Sequence, residues 1–337
     1  MAKKIRHVNI PVFIPHLGCP NDCVFCNQRS ISGKRSFDPS AVIPEIEQVL
    51  STVSYETTTE IAFFGGSFTG IDRRLMIELL DIAQGYVEKG KVTTIRLSTR
   101  PDYINDEIIE ILRGYSVKTI ELGIQSTDPH VLAASRRGHS LLDTVNACSL
   151  VKKSGFDLVG QMMIGLPGST PEKEIKTAMD ICEMGADAAR IYPTVVFRKT
   201  ELCRMAELGN YIPLSEEDAV QRTKLALSVF DRQNVPCIRI GLCASENLSS
   251  DEEVYGGASH SAIGELAIGE LYYDKMDSLL SSSGYKKNTV FYVARGCTSK
   301  AVGQKRKNIT RLCEKYSIDR IKVIEKNEII GYNIVLE

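Results

Sequence analysis

Between residues 8 and 196, six short apolar runs rich in β-branched residues alternate with longer stretches that open on helix-capping residues. No other feature constrains the fold as much. The runs span residues 8–14, 59–64, 93–98, 118–124, 158–164 and 188–196. Short, nearly continuous apolar runs of this kind read as buried parallel strands. Helices are predicted over 38–53, 72–86, from near Asn105, from Asp128 and Ser140, and over 171–184. Asp, Asn and Ser accept the first free backbone N–H groups of a helix, and proline suits its first turn. Six βα units fit an open doubly wound sheet or a partial barrel. In a barrel, chemistry gathers at the C-terminal ends of the strands. Cys19, the pair Gly65 and Gly66, Thr99, Gln125 and Gly165 all fall there. The expected fold is therefore α/β, a partial (β/α)6 TIM-type barrel over 1–200. A helical and strand extension over 201–284 and a small basic α/β tail over 285–337 follow it.

Hydrophobic residues make up 43% of the chain and charged residues 25%, a balance that excludes disorder as the main state. No stretch approaches the about 20 apolar residues of a membrane span. The basic start of the chain has no long apolar run behind it, so a cytoplasmic protein is expected. The ten cysteines then call for a reason other than disulfides. Seven of them, Cys148, Cys182, Cys203, Cys237, Cys243, Cys297 and Cys313, are scattered among apolar neighbours and read as core thiols. The other three, Cys19, Cys23 and Cys26, fall within eight residues.

That triplet has the spacing C-x3-C-x2-C, in a segment rich in turn-forming Gly18, Pro20, Asn21 and Asp22. Soft sulfur ligands select zinc or an iron–sulfur cluster. A structural zinc site takes four ligands, and no second Cys-x2-Cys pair supplies the rest, although His16 could be a fourth. A [4Fe–4S] cluster normally takes four cysteines, so three leave one iron open.

The triplet, with Phe25 before its last cysteine, resembles the cluster motif of radical S-adenosylmethionine (SAM) enzymes. Further segments of residues 8–280 resemble the Elongator-protein-3-like and oxygen-independent coproporphyrinogen III oxidase-like group of that superfamily. Gly65-Gly66-Ser67 stands where the family has a Gly-Gly-Glu-like motif against the SAM amino group, with Ser67 in place of Glu. Ser98-Thr99-Arg100-Pro101-Asp102 resembles Glu-Thr-Arg-Pro-Asp, with Ser98 in place of Glu. Glu121-Leu122-Gly123-Ile124-Gln125-Ser126 resembles Glu-Leu-Gly-Val-Gln-Ser. The resemblance implies a [4Fe–4S] cluster on Cys19, Cys23 and Cys26. It implies a SAM site on Gly65, Gly66, Ser67, Ser98, Thr99, Arg100, Gln125 and Arg137, and on the turn at Gly165 and Pro167. Arg136 or Arg137 would pair with the SAM carboxylate, bidentately. Gln125 and Tyr192, the latter in Ile191-Tyr192-Pro193-Thr194, are the candidate catalytic residues. The Elongator enzyme carries an acetyltransferase domain for which these 337 residues leave no room. Acetyl-CoA chemistry is therefore not expected of this chain.

From Lys286 to Glu337 there are twelve Lys and Arg against five Asp and Glu, so this tail carries +7 and the rest of the chain −8. Val302-Gly303-Gln304-Lys305-Arg306-Lys307-Asn308-Ile309 resembles the Ile-Gly-x-x-Gly-x-x-Ile loop of KH RNA-binding modules, with Arg306 in place of the second glycine. Lys300, Gly303, Lys305, Arg306 and Lys307 are the candidate RNA contacts.

The expected activity is reductive cleavage of SAM to methionine and a 5′-deoxyadenosyl radical, which modifies RNA, with tRNA first. One rival is a radical SAM oxidoreductase acting on a small anionic molecule such as a porphyrinogen. Another is a non-catalytic binding protein stabilised by zinc. The implied partners are tRNA and a one-electron reductant such as ferredoxin or flavodoxin.

Overall fold

A computed structural model of the chain describes residues 7–14, 17–19, 23–27, 37–54, 57–242, 250 and 252–337. His16 and Cys243 lie outside these residues. Seven parallel strands form one sheet: β1 (His7–Ile14), β2 (Thr58–Gly65), β3 (Thr94–Thr99), β4 (Val117–Gln125), β5 (Asp157–Ile164), β6 (Ala188–Pro193) and, at the far edge, Cys237–Ile240. The order in the sheet is the order in the chain. The sheet forms a half-barrel, as the alternating pattern predicts. It has one strand more than the expected six, because Cys237–Ile240, within the expected extension, pairs with β6.

The helices connecting these strands are α1 (Val42–Leu50), α2 (Arg73–Glu88), α3 (Asp106–Arg113), α4 (Pro129–Ala134), α5 (Leu141–Lys153) and α6 (Pro171–Glu183). The caps act as predicted. Asn105 and Asp128 each accept a backbone N–H from the first turn they cap, and Ser140 and Asp143 form a reciprocal capping box. The first helix is shorter than predicted: Pro39–Ala41 is a 3-10 turn and α1 ends at Leu50. Beyond it, the Ser51 and Thr52 hydroxyls bond back to Gln48 and Val49 carbonyls and favour a turn over a further helical one.

The sixth run also divides. β6 ends at Pro193, which has no N–H to continue the ladder. The chain then forms β7 (Val195–Phe197), antiparallel to a short strand Val254–Gly257 on a separate two-stranded sheet. After α7 (Glu201–Glu207), helix α8 (Glu216–Arg232) leads to β8 (Cys237–Ile240). The Val254–Gly257 strand, β9, precedes α9 (Ile263–Ser283). His260, before α9, accepts the Ala262 N–H on its ring nitrogen.

Alternation along the strands gives the sheet two unlike faces. One buries Ile10, Ile61, Ile95, Leu97, Ile120, Leu122, Leu158 and Ile191 against Met76, Leu79, Leu112, Val151, Ile181 and Phe230 of the helices. The other, concave face carries charge. Glu60 accepts from Arg96 Nε (3.0 Å) and from the Thr94 hydroxyl (2.7 Å). Glu121 is fully buried and accepts from Arg96 Nη1 (2.9 Å), Arg190 Nη2 (2.8 Å) and Gln161 Nε2 (2.7 Å). A polar seam thus crosses β2 to β6.

The tail has its own small core. β10 (Asn288–Ala294) pairs in parallel with β11 (Arg320–Lys326) and antiparallel with β12 (Ile334–Leu336). Between β10 and β11 lie α10 (Thr298–Val302) and α11 (Lys307–Tyr316). Phe291, Val293, Leu312 and Ile321 pack on Tyr272, Met276 and Leu280 of α9, which tie the tail to the barrel.

Candidate active site

The cysteine loop leaves the C-terminal end of β1 and is locked against the loop that follows β2. The Ser67 N–H donates to the Leu17 carbonyl at 3.1 Å. A Cβ on Gly66 would stand 2.0 Å from that same carbonyl oxygen, so only glycine lets the two loops touch. Gly66→Ala is therefore expected to push the cysteine loop outward. Stability should fall by about 1–3 kcal/mol, as overpacking does, and iron bound per chain should fall with it. Denaturation midpoints and iron analysis check both.

Two arginines approach the thiols. Arg100, 2% exposed, points Nη1 at Cys19 Sγ from 3.9 Å. Arg137, 7% exposed, points Nη1 at Cys23 Sγ from 3.5 Å and donates Nη2 to the Gly123 carbonyl at 2.6 Å. Of the two adjacent arginines, Arg137 is the one at the site. Arg136 is exposed and pairs with Glu201. The backbone ties this corner together: Val24 N–H donates to the Ser135 carbonyl and Cys26 N–H to the Cys23 carbonyl.

Among the described residues, several buried polar atoms here have no hydrogen-bond partner: Ser67 Oγ, Gln125 Oε1, Arg137 Nε and both ring nitrogens of His139. Such atoms are costly unless something binds them. Burial, and next the Arg137 charge, pushes His139 down to about 3, so its ring is neutral at physiological pH. Gln125 sits at φ 66, beside a β-bulge between β4 and β5. A non-glycine residue held there is the kind of strain that a functional site stores.

The predicted SAM residues fall into two groups. Gly65, Gly66, Ser67, Arg100 and Arg137 border the thiols or the loops that hold them, and Gln125 lies with Arg137 against Gly123. Thr99, at the end of β3, is bonded through its hydroxyl to Thr69 at 2.7 Å and ties β3 to the turn after β2. Ser98 lies on the concave face and accepts from Gln161 at 3.3 Å. Gly165 begins a turn after β5 that the rest of the chain grips firmly. Its N–H donates to Glu174 at 2.6 Å and its carbonyl accepts from the Tyr211 hydroxyl at 2.7 Å. Arg222 Nε clamps Glu174 at 2.8 Å, and Pro167 is buried within the turn. Tyr192 is on β6 beside Arg190; burial raises its hydroxyl above the ordinary phenol range against the pull of Arg190. Glu121, Gln161, Glu174 and Arg222 are missed by the sequence reading. A charge inside four of the six apolar runs, at Glu60, Arg96, Glu121 and Arg190, is the signal that would have exposed the seam.

Among the described residues, no three His, Cys, Asp or Glu side chains close on a single-ion site. A cluster binds each thiolate to a different iron and asks for a wider set. Cys19, Cys23 and Cys26 lie within eight residues on one loop. With two buried guanidiniums beside the thiols and unbonded polar atoms around them, the donor set fits an anionic thiolate-held cluster and a polar ligand beside it.

A half-barrel with such a loop at its mouth defines an enzyme class rather than a zinc-braced binding module. The Radical SAM superfamily model matches residues 13–181 and the Radical_SAM C-terminal domain model residues 186–273. The chain belongs to the radical SAM superfamily, whose enzymes use a [4Fe–4S] cluster and SAM. It is 32% identical over 233 residues to an uncharacterized protein of Methanocaldococcus jannaschii, covering 64% of this chain and 70% of that one. It is 33% identical over 147 residues to the tRNA uridine(34) acetyltransferase of Methanocaldococcus infernus, covering 43% of this chain and 28% of that one. The chain thus spans under a third of that enzyme's length. The fold matches the structure of M. infernus Elp3 with an N-terminal deletion at a TM-score of 0.61 and 24% identity, over 82% of this chain and 64% of that one. No described helix is long and apolar enough to cross a membrane.

Proposed function

We propose that this chain is a radical SAM enzyme that modifies RNA, with tRNA as the substrate class. The observation that carries the reading is the position of the basic loop between α10 and α11. Helices α8 and α9 start at the mouth of the half-barrel. Arg222, near the start of α8, reaches Glu174 beside the turn after β5, and a Cβ on Gly241, just past β8, would stand 2.9 Å from Ile263, the first residue of α9. A cleft of about 690 Å³ is lined by Glu216 and Glu265 from these first turns and by Lys300, Gly303, Lys305, Arg306 and Lys307. The basic loop therefore stands beside the mouth.

Lys307 and Arg311 are turned toward Glu270. Lys300, Lys305 and Arg306 have no ion pair among the described residues and are left for an anion. Lys305 and Arg306 both hold left-handed backbone, at φ 50 and φ 64, which aims the loop outward at a local cost. The facing wall is acidic, so a phosphodiester chain would lie along the basic lip and not fill the cleft. The likeness to the tRNA-acting enzyme supports the same class.

In this reading Cys19, Cys23 and Cys26 hold the cluster, which supplies, once reduced, the electron for cleaving SAM to methionine and a 5′-deoxyadenosyl radical. Arg137 binds the SAM carboxylate, Gln125 and the backbone at Gly65 and Gly66 hold its polar end, and the turn at Gly165 and Pro167 supports its base. Tyr192 and Gln125 face the substrate. The electron comes from a one-electron carrier such as ferredoxin or flavodoxin.

The test is anaerobic formation of 5′-deoxyadenosine with and without bulk tRNA, beside filter binding of tRNA over a salt series. Product that rises with tRNA is expected; product indifferent to tRNA would sink the RNA reading. The pair Lys305→Ala and Arg306→Ala is expected to lower the log–log salt slope by about 1–2. SAM cleavage in the absence of RNA should not change.

A further inference from the structure

Arg100 is the largest fully buried side chain among the described residues, and its place is fixed without reference to any cofactor. Its Nε donates to Asp102 Oδ1 at 2.9 Å and its Nη2 to Asp102 Oδ2 at 2.6 Å, a two-pronged ion pair. Asp102 lies in the 3-10 turn Pro101–Tyr103. That turn is keyed into the neighbouring loop: the Tyr103 carbonyl accepts from the Thr69 hydroxyl at 2.8 Å, and a Cβ on Gly70 would stand 3.2 Å from the Tyr103 ring. The same Gly70 packs against the Gly18 carbonyl, one residue before Cys19. One edge of the guanidinium is thus bound to Asp102 while Nη1 faces Cys19 Sγ at 3.9 Å.

A guanidinium is not deprotonated in proteins, and its two-pronged pair with Asp102 keeps this buried cation in place. The potential of a thiolate-held cluster follows local charge, N–H···S bonds and solvent exposure. Reduction adds one negative charge, which a fixed neighbouring cation stabilises and a fixed anion opposes.

We propose that Arg100 and Asp102 form a potential-setting pair: Arg100 positions the Cys19 thiolate and raises the reduction potential of the cluster, and Asp102 moderates that rise. Both act on the cluster through Cys19. The inference rests on Cys19, Cys23 and Cys26 being the ligands and is independent of the RNA reading.

The experiment is a potentiometric titration of the anaerobically reconstituted full chain, without SAM or RNA, followed by absorbance and by the spin signal of the reduced cluster. Arg100→Met is expected to lower the midpoint, so that the reduced fraction at a fixed donor potential falls several-fold. Arg100→Lys keeps the charge and should recover most of it. Asp102→Asn removes the anion and should move the midpoint upward. This opposition of sign separates the proposal from a packing role, which would cost iron content without moving the two midpoints apart. If Arg100→Met does not take up iron, the Asp102→Asn midpoint decides alone. A midpoint in Asp102→Asn that is unchanged or lower overturns the inference. Full cluster content with an unmoved midpoint in Arg100→Met does the same. A wild-type chain that takes up no cluster overturns the ligand assignment and the inference with it.

Discussion

Cys23→Ala protein, rebuilt anaerobically with iron and sulfide, is expected to lack the broad charge-transfer absorbance of a cluster and to form 5′-deoxyadenosine only at background. Cys23 is 6% exposed, and Arg137 Nη1 lies 3.5 Å from its sulfur. Losing the thiol removes one of three ligands and leaves Arg137 Nη1 without its sulfur, while Nη2 keeps the Gly123 carbonyl. Alanine fills most of the same space, so the far-ultraviolet circular dichroism should stay that of the wild type. Cys148→Ala is the control. That thiol is 1% exposed in α5, and burial raises it to about 12, so it stays protonated and binds no metal. Retained absorbance in Cys23→Ala, or its loss in Cys148→Ala, would contradict the assignment of the loop.

Glu121→Ala is the second large effect. The carboxylate is fully buried and holds Arg96, Arg190 and Gln161. Arg96 keeps Glu60, whereas Arg190 loses its one acid partner among the described residues. Removing one side of a buried ion pair costs roughly 3–5 kcal/mol, because the remaining charge stays out of water. That is a large share of the about 5–15 kcal/mol by which domains are stable. The urea midpoint should fall accordingly. Glu121→Leu combined with Arg190→Met should recover part of the loss, since an apolar pair leaves no orphan charge. A single variant with an unmoved midpoint would mean that water already reaches the seam.

Much of this architecture was open to reading in the chain itself. The strands are short and β-branched, and Asn105, Asp128, Ser140 and Ser215 cap their helices through local hydrogen bonds that need no tertiary context. The cysteine loop was readable for the same reason: its three thiols lie within eight residues. What escaped depends on register. Glu121 meets Arg96 and Arg190 only because three strands align, and Glu174 meets Arg222 across 48 residues. The departure of β7 from the main sheet was hidden because residues 188–196 are apolar throughout, while its cause, Pro193, changes hydrogen bonding and not hydropathy. Thr99 also depends on register, since its hydroxyl meets Thr69 of the loop after β2.

The seam also bears on how the chain reaches its native state. Glu121 finds its partners 25, 40 and 69 residues away, on strands that precede and follow it. A sheet assembled only as far as β4 would leave the carboxylate with Arg96 alone, before Gln161 and Arg190 had arrived. Such an intermediate is penalised by its own unfinished charge pairing. The penalty lifts only when β5 and β6 dock, so the early and late strands are coupled into one transition.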